Sequence, residues 1–212
     1  MMMTKLFGMT AAAALGLAMV CSAPASANLL TDPGFEGALT FDGPPFVGSW
    51  EGFNNGLPNT TSNGTTTPLS GAQHLELSLV GTNGFAGAFQ DIPGLSAGQQ
   101  VTWSGWTLEA VGSVAGGSEI RIEWRDSVNN VEISRTPNTV GSFVQGQYTP
   151  WSVVDVVPAG ADTARVVYAI QSFGAGVNQL HYVDDTSVTV IPEPASLALL
   201  GLGGLAMLRR RA

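Results

Sequence analysis

LELSL at residues 75–79 and EIRIEW at residues 119–124 alternate apolar and polar side chains with a period of two. This alternation is typical of β-strands that bury one face. From Asn28 onward, no stretch keeps the 3.6-residue apolar period of an amphipathic helix. The two stretches therefore decide the fold class, and similar patterns predict further strands at residues 101–108, 153–157, 164–170 and 180–190.

Turn residues separate the candidate strands, among them Asn83-Gly84, Pro93-Gly94 and Asn129-Asn130. Short strands without intervening helices predict an all-β fold, an antiparallel sandwich or barrel. Residues 54–70, NNGLPNTTSNGTTTPLS, are polar and of low complexity, and we predict a mobile loop there. The alternation directs three tryptophans into the core: Trp103, Trp124 and Trp151.

The chain is strongly acidic once its two ends are set aside. It has 16 acidic and 8 basic residues, and Lys5 together with three C-terminal arginines accounts for half of the bases. The rest of the chain has four arginines and no lysine against all 16 acids, a net charge near −12. Nucleic acid and anionic lipid are bound by clustered basic side chains, so this composition argues against both partners.

The first 27 residues have the three parts of a secretory signal peptide. Lys5 precedes an apolar run at residues 6–20, and Ala25-Ser26-Ala27 forms an A-x-A cleavage site. We predict that the mature chain starts at Asn28. A lipid-anchored Cys21 is the alternative, but the two residues before this cysteine are bulky, so we favour its removal with the signal peptide.

The C-terminus combines Pro192-Glu193-Pro194, an uncharged apolar run at residues 195–208, and the cluster Arg209, Arg210 and Arg211. The run is shorter than the ~20 residues that cross a bilayer comfortably. Short segments still span where the lipid thins and the flanking arginines snorkel, and the arginines would stay cytoplasmic. We therefore predict a short C-terminal transmembrane helix at residues 195–208.

These three parts, placed in this order after a signal peptide, resemble a PEP-CTERM sorting signal at residues 191–212. Such signals occur on exported proteins of Gram-negative bacteria that also make exopolysaccharide. The resemblance implies cleavage near Pro192-Glu193-Pro194 by an exosortase, a membrane-embedded transpeptidase-like enzyme. It also implies a transient stage at the inner membrane and delivery to the cell envelope or to the extracellular matrix of a biofilm. A simple C-terminal membrane anchor is the alternative.

Three further stretches resemble the jelly-roll carbohydrate-binding modules and the related galactose-binding-like domains. Residues 28–36, NLLTDPGFE, are similar to their first strand, and residues 90–99, QDIPGLSAGQ, to a central strand and turn. Residues 181–189, HYVDDTSVT, are similar to their closing strand, with Thr186 where an apolar residue is more usual. The resemblance implies a jelly-roll β-sandwich over residues 28–190.

The same resemblance implies a structural calcium ion. In a jelly roll the first and last strands lie close together, which would bring Glu36 near the Asp184-Asp185 pair. Ca²⁺ takes six to eight oxygen ligands and tolerates irregular geometry. The implied ligands are the Glu36 side chain, a backbone oxygen near Asp32, and a carboxylate of Asp184 or Asp185. A solvated turn at Asp184-Asp185 without metal is the alternative.

The sequence shows no recognisable catalytic motif. His74 and His181 are the only histidines, and neither lies in a hydrolase motif or a zinc-binding pattern. We interpret both as residues at strand edges. Glycoside hydrolysis needs only two carboxylates in a cleft, and the acidic residues leave this open, but their polar and alternating contexts favour a solvated face. We therefore predict that the chain is not an enzyme.

Carbohydrate binding needs aromatic rings that stack on the apolar faces of sugars, together with polar groups for the hydroxyls. The candidate platforms are Trp50 and Phe53, in a turn-rich segment, and Trp106, which breaks the alternation around Trp103. Trp50 could equally fill the interior of a loop. The predicted function is that of a noncatalytic exported protein that binds exopolysaccharide; a structural or adhesive protein without a glycan site is the alternative, ahead of a glycan-cleaving enzyme.

Overall fold

The computed structural model describes residues 27–44, 46, 50–114, 117–139 and 141–191. These residues form ten β-strands and no helix: β1 (Glu51–Asn54), β2 (Thr60–Gly64), β3 (His74–Gly81), β4 (Phe85–Pro93), β5 (Gln100–Glu109), β6 (Gly117–Asp126), β7 (Val131–Arg135), β8 (Tyr148–Val156), β9 (Thr163–Gln171) and β10 (Val177–Ile191). The all-β prediction is confirmed. Within the described ranges no helix could cross a membrane, and the helix predicted at residues 195–208 lies outside them.

The strands form two five-stranded sheets. The order is β1-β4-β9-β6-β7 in one, called sheet A here, and β2-β3-β10-β5-β8 in the other, called sheet B. Every pairing between these strands is antiparallel. The central strands are β9 in sheet A and β10 in sheet B, so the last strand of the chain lies in the middle of its sheet. The antiparallel sandwich is confirmed.

The two stretches with period-two alternation form the inner faces of the two sheets. Leu75, Leu77 and Leu79 of β3 are fully buried, as are Ile120 and Ile122 of β6. The residues between them point outward, because successive side chains of a strand lie on opposite faces. The three tryptophans that the alternation directs inward are buried as well: Trp103, Trp124 and Trp151.

Aromatic rings form a continuous row through the core. Trp103 lies 5.9 Å from Trp50 and 4.8 Å from Trp151, measured between ring centroids. The row continues from Trp50 to Phe35 at 4.6 Å and from Trp151 to Tyr168 at 5.6 Å. Aromatic pairs at these separations stabilise a core beyond their buried area. The row joins the amino-terminal loop, sheet B and sheet A in one packed unit.

Residues 54–70 do not form one long loop, and the prediction made for them was wrong. They include β2, which pairs with β3 in the register Thr60↔Ser78 to Gly64↔His74. Backbone pairing orders this polar strand without apolar side chains. Thr61 adds a hydrogen bond from its hydroxyl to the Phe53 carbonyl at 2.8 Å. A strand stabilised in this way carries no hydrophobic alternation, which is why the sequence pattern did not reveal it.

Both histidines are more deeply buried than their interpretation as strand-edge residues implied. His74 is 0% exposed and His181 is 1% exposed. His181 Nδ1 lies 3.0 Å from the Tyr168 hydroxyl, and its Nε2 lies 3.1 Å from the Gln179 amide nitrogen. Both hydrogen-bond partners of His181 are neutral, so neither would compensate a positive imidazole. Burial lowers the pKa of His181 to about 3 and also lowers the pKa of His74.

The buried histidines predict a fold that weakens in mild acid. The unfolded chain binds a proton at His181 near pH 6.5, whereas the folded chain does so only near pH 3. The contribution of neutral His181 to stability is therefore complete above pH 6.5 and is lost as the pH falls toward 3. We expect His181 to lower the free energy of unfolding by about 2 kcal/mol between pH 7 and pH 5, measured by urea denaturation.

The His181→Gln variant provides the control. It should lose most of this pH dependence and keep only the smaller part that His74 contributes. An unchanged slope between pH 7 and pH 5 in His181→Gln would show that another group titrates in this range.

Candidate functional site

A strip of phenylalanines lies on the outer face of sheet A, the face that points away from sheet B. Phe53 of β1 lies 6.3 Å from Phe85 and 6.2 Å from Phe89, both of β4, measured between ring centroids. Phe89 packs with Val167 and Ala169 of β9 in a hydrophobic cluster separate from the main core. Phe85 is 41% exposed and Phe53 is half-buried, whereas Phe89 is only 9% exposed. The strip therefore presents Phe85 and part of Phe53 to the solvent, above a buried Phe89.

Arg165 of β9 lies at one end of this strip and is held from two sides. Its Nε and terminal nitrogen donate hydrogen bonds to the two carboxylate oxygens of Asp91 at 2.7 and 2.9 Å. Its guanidinium carbon lies 4.0 Å from the centre of the Phe89 ring and 4.7 Å from that of Phe46. A bidentate carboxylate and a stacked ring both restrict a guanidinium to one plane. Arg165 is thus a preorganised donor beside an aromatic surface.

Charged side chains of β6 continue the same face on the other side of β9. Arg121 donates to Glu123 at 2.9 Å and to Glu119 at 3.0 Å. Arg135 of β7 donates one hydrogen bond to each carboxylate oxygen of Glu132, both at 2.6 Å. The pairing register places every basic residue between positions 28 and 191 on this face: Arg121, Arg125, Arg135 and Arg165.

The three predicted sugar platforms lie in three different places. Phe53 is half-buried in the strip on sheet A. Trp106 is 38% exposed on the outer face of sheet B, between its cross-strand neighbours Pro150 and Asp184. Trp50 is only 2% exposed, and its indole N–H donates to the Asp32 carbonyl at 2.8 Å. The prediction for Trp50 was wrong, because its ring is part of the aromatic row of the core.

The predicted metal ligands come together in part. Asp184 is fully buried, and its carboxylate accepts backbone N–H groups of Leu69, Ser70 and Asp185 at 2.7–3.1 Å. Burial raises the pKa of Asp184, against the lowering effect of these hydrogen bonds. Glu36 accepts the backbone N–H of Ala72 at 2.9 Å. The loop between β2 and β3 therefore contacts both carboxylates.

The Glu36 and Asp184 carboxylates both lie near Gly34. A Cβ atom on Gly34 would lie 3.6 Å from Asp184 Oδ1 and 3.9 Å from Glu36 Oε1, which is ordinary van der Waals contact. Gly71, where φ is +62°, is closer still to Glu36, because a Cβ atom there would overlap Glu36 Oε1. One oxygen of each carboxylate therefore faces the same side of the amino-terminal loop.

Asp32 and Asp185 have other partners. The Asp32 carboxylate accepts the backbone N–H groups of Glu36 and Gly37, both at 2.8 Å, and its carbonyl accepts the Trp50 indole N–H. Asp185 accepts the Ser70 hydroxyl at 2.6 Å. No group of three or more acidic, histidine or cysteine side chains among the described residues forms a metal cluster. Of the four predicted ligands, Glu36 and Asp184 are the two whose carboxylates both lie near Gly34.

The predicted processing residues lie mostly outside the described ranges. This applies to Ala25 and to all of the sorting residues: Pro192, Glu193, Pro194, Arg209, Arg210 and Arg211. Ala27 and Asn28 are described and exposed. Asn28 pairs with β10, so the amino terminus of the predicted mature chain lies beside the strand that leads to the sorting segment.

Sequence reasoning missed Phe85, Phe89 and Arg165. A signal for the two phenylalanines was present in the stretch Phe85-Ala-Gly-Ala-Phe89, which places both rings on one face of a strand and small residues between them. Arg165 carried no such signal. Its role depends on the pairing of β9 with β4, which brings it opposite Asp91.

The C-terminal part of the chain matches a known sorting motif. Residues 190–212 match the PEP-CTERM protein-sorting motif, which confirms the resemblance found in the sequence. This motif implies exosortase-dependent export. No curated protein sequence matches the chain.

Several solved structures are similar to the sandwich. The CBM22-1 xylan-binding domain of Paenibacillus barcinonensis Xyn10C is 14% identical with a TM-score of 0.55, over 80% of this chain and 98% of that domain. A family 16 carbohydrate-binding module is 19% identical with a TM-score of 0.50, over 76% of this chain and 99% of that one.

Part of an enzymatically active domain is also similar to the sandwich. Tailspike protein 4 of bacteriophage CBA120 is 16% identical with a TM-score of 0.58, over 77% of this chain but only 21% of that chain. Identities this low establish the fold alone. The chain has the jelly-roll β-sandwich fold of carbohydrate-binding modules, as its sequence predicted, and carries a PEP-CTERM sorting motif at its C-terminus.

Proposed function

We propose that the chain is an exported, noncatalytic protein that binds carbohydrate through the outer face of sheet A. The observation that carries this proposal is the strip of Phe53, Phe85 and Phe89, with the guanidinium of Arg165 fixed at its end. Carbohydrate-binding modules among the solved structures with the same fold support it.

The chemistry of the face suits a sugar chain. Pyranose rings have apolar faces that stack on aromatic rings, and their hydroxyls need oriented hydrogen-bond donors and acceptors. The strip supplies the rings. The ion pairs around Arg121 and Arg165 supply donors and acceptors whose positions are already fixed, which lowers the entropic cost of binding. In the free domain these side chains therefore already have the positions that we propose for the bound state.

The carboxylates on this face are poorly placed for glycoside hydrolysis. The reaction needs a protonated acid on one side of the scissile bond and a free carboxylate on the other. The two acids next to the strip are Glu51, opposite Phe89, and Asp91, two residues after it. The Glu51 carboxylate accepts hydrogen bonds from Thr40 and Gly43, and the Asp91 carboxylate is paired with Arg165. Carboxylates held by such partners favour a binding role.

We place the mature protein in the cell envelope or the extracellular matrix, with exopolysaccharide as its ligand. The sorting motif implies processing by an exosortase, and a chain in this location would meet the secreted polysaccharide. In this proposal residues 1–27 are removed as a signal peptide and residues 191–212 serve sorting. The domain between them is the functional part.

We also propose a structural calcium ion at Glu36 and Asp184. Bound there, a calcium ion would neutralise a fully buried carboxylate that has no arginine or lysine within salt-bridge distance among the described residues. Backbone carbonyls of the amino-terminal loop and water would complete its oxygen ligands. Its effect would be to join that loop to the end of β10.

The glycan proposal predicts that two substitutions on the outer face of sheet A weaken binding. Phe53→Ala removes a stacking ring that lies outside the main core, so we expect about tenfold weaker binding, or 1.4 kcal/mol, with the fold intact. Arg165→Ala should weaken binding in the same direction. The measurement is affinity electrophoresis in gels that contain the exopolysaccharide of the source organism or xylan.

Trp106→Ala is the matched control, because Trp106 is an exposed aromatic residue on the other sheet. It should bind as strongly as the unaltered protein. Loss of binding in Trp106→Ala alone would move the site to sheet B. A chain that binds neither polysaccharide would favour the structural or adhesive alternative.

The calcium proposal predicts a metal-dependent melting temperature. A ligand at 100 times its dissociation constant stabilises the folded state by about 2.7 kcal/mol, which corresponds to roughly 5–10 °C for a domain of this size. We expect this rise when calcium is added to chelator-treated protein, and no rise in Glu36→Gln. Equal melting temperatures with and without calcium would exclude the ion.

The export proposal predicts the mass of the mature protein. We expect a chain that starts at Asn28 and ends near Pro192 or Glu193, in the medium or the matrix fraction, measured by intact mass spectrometry. In cells without exosortase the C-terminus should stay uncleaved and the chain should stay in the inner membrane. An uncleaved chain in both strains would favour the simple anchor.

A further inference from the structure

The first residues after the predicted signal-peptide cleavage are bound to the last strand of the domain. The Asn28 side chain donates to the Thr186 carbonyl at 2.9 Å and accepts the backbone N–H of Val188 at 2.9 Å. It also accepts the backbone N–H of Leu30 at 3.2 Å, and Leu29 N–H donates to the Val188 carbonyl at 2.9 Å. We call this set of contacts the Asn28 clamp.

The clamp replaces a neighbouring strand at this end of β10. The first half of β10, up to Val183, lies between β3 and β5. Beyond a bulge between Asp184 and Ser187, β10 keeps its pairing with β5 but no longer pairs with β3. Residues 28–29 pair there instead. The second half of β10 is therefore held on one side by β5 and on the other by a short segment that begins at the mature amino terminus.

The ordered strand extends to the sorting motif without a linker. The last pair of the ladder is Ile191 with Gln100, and the next residue, Pro192, begins the Pro-Glu-Pro sequence. Val188 and Ile191 are three positions apart, about 10 Å along a strand. The two ends of the mature domain thus leave the sandwich at the same end, one strand apart, and both are close to a processing site.

We infer that the Asn28 clamp sets how far β10 must open before the sorting peptidase can cleave the chain, so that the folded domain limits its own C-terminal processing. This inference rests on the proposed function, because it assumes that an exosortase acts on residues 190–212. The interaction surface is the end of the sandwich formed by residues 28–29, 99–101 and 188–191, and the partner is the membrane-embedded peptidase.

The folded domain would limit cleavage because a peptidase binds its substrate as an extended segment. Peptidases cleave segments that can leave the folded structure and extend. The residues on the amino side of Pro192 are paired with β5, so they become available only when the end of β10 separates from it. Ile191 is 51% exposed and lies beyond the clamp, so it opens first. Val188 opens only after its bonds to Asn28 and Leu29 are broken.

The same arrangement orders the two processing steps. Asn28 cannot contact β10 in its clamped position while residues 28–30 are extended in the active site of the signal peptidase. The clamp therefore forms after the signal peptide is removed. From that point both chain ends lie at the same end of the domain, and the sorting motif begins directly at the edge of the folded structure.

The test compares rates of C-terminal processing by pulse-chase in the source organism, with the mature amino terminus checked by mass. A four-residue Gly-Ser insertion between Ile191 and Pro192 supplies a linker without changing the domain, and we expect processing at least threefold faster. Asn28→Ala removes the side-chain contacts of the clamp and should raise the rate in the same direction. Asn178→Ala, an exposed asparagine near the other end of β10, is the matched control and should leave the rate unchanged.

The possible failures are distinguishable. If the unaltered chain is processed but both the insertion and Asn28→Ala leave its rate unchanged, the inference is wrong and the export proposal stands. If Asn28→Ala alone has no effect, the pairing with β5 limits processing and the clamp does not. If the unaltered chain is not processed at all in a strain with exosortase, the export proposal fails and the inference fails with it.

Discussion

The packing of Trp50 between the amino-terminal loop and Trp103 is the interaction on which the remaining arrangement depends. Trp50 contacts Phe35 on one side and Trp103 on the other, and its only polar atom is bonded to the Asp32 carbonyl. A buried indole is stable when its N–H has a partner. In this chain the partner is backbone of the amino-terminal loop, so core packing fixes the path of a segment that forms no regular strand.

The path of that loop positions the acidic residues. Asp32 and Phe35 both have positive φ, of 54° and 55°, which turns the chain sharply between the clamp at Asn28 and Glu36. The Asp32 carboxylate stabilises this turn by accepting the N–H groups of Glu36 and Gly37. As a result Glu36 approaches Asp184 at the bulge of β10. The candidate calcium site is therefore a consequence of how the core holds the first residues of the domain.

The fold was predicted well from the sequence because the alternation of apolar and polar residues indicates directly which face of a strand is buried. In both strands every second residue lies on the inner face, in the pattern and in the structure. These residues are Leu75, Leu77 and Leu79 of β3 and Ile120, Ile122 and Trp124 of β6. The pattern could not predict β2, which is ordered by pairing and not by burial. It also misplaced Trp50, because a single aromatic residue in a turn-rich segment has no neighbours whose alternation assigns it to a face. Phe53, three residues later, lies half-buried on the outer face of sheet A, and its predicted role as a sugar platform stays a prediction.

The proposed binding face on sheet A was only partly predictable, because it combines residues that are distant in the sequence. It depends on residues from β1, β4, β6, β7 and β9, and their neighbourhood follows from a strand order that no local pattern encodes. The four arginines are scattered over 45 positions in the sequence, from Arg121 to Arg165, yet antiparallel pairing brings them to one face. Composition showed that the chain has few bases, but only the register shows that they are together.

The features proposed for export and for binding lie on opposite sheets of the sandwich. The clamp and the strand that leads to the sorting motif belong to sheet B, whereas the phenylalanine strip and its arginines belong to sheet A. A chain held at the membrane by its C-terminus would therefore leave the outer face of sheet A open, and cleavage would not alter any residue of that face. The proposed polysaccharide binding would therefore need no release step. A tethered chain and a processed chain should have the same affinity for a glycan, and processing would change where the protein binds but not how strongly.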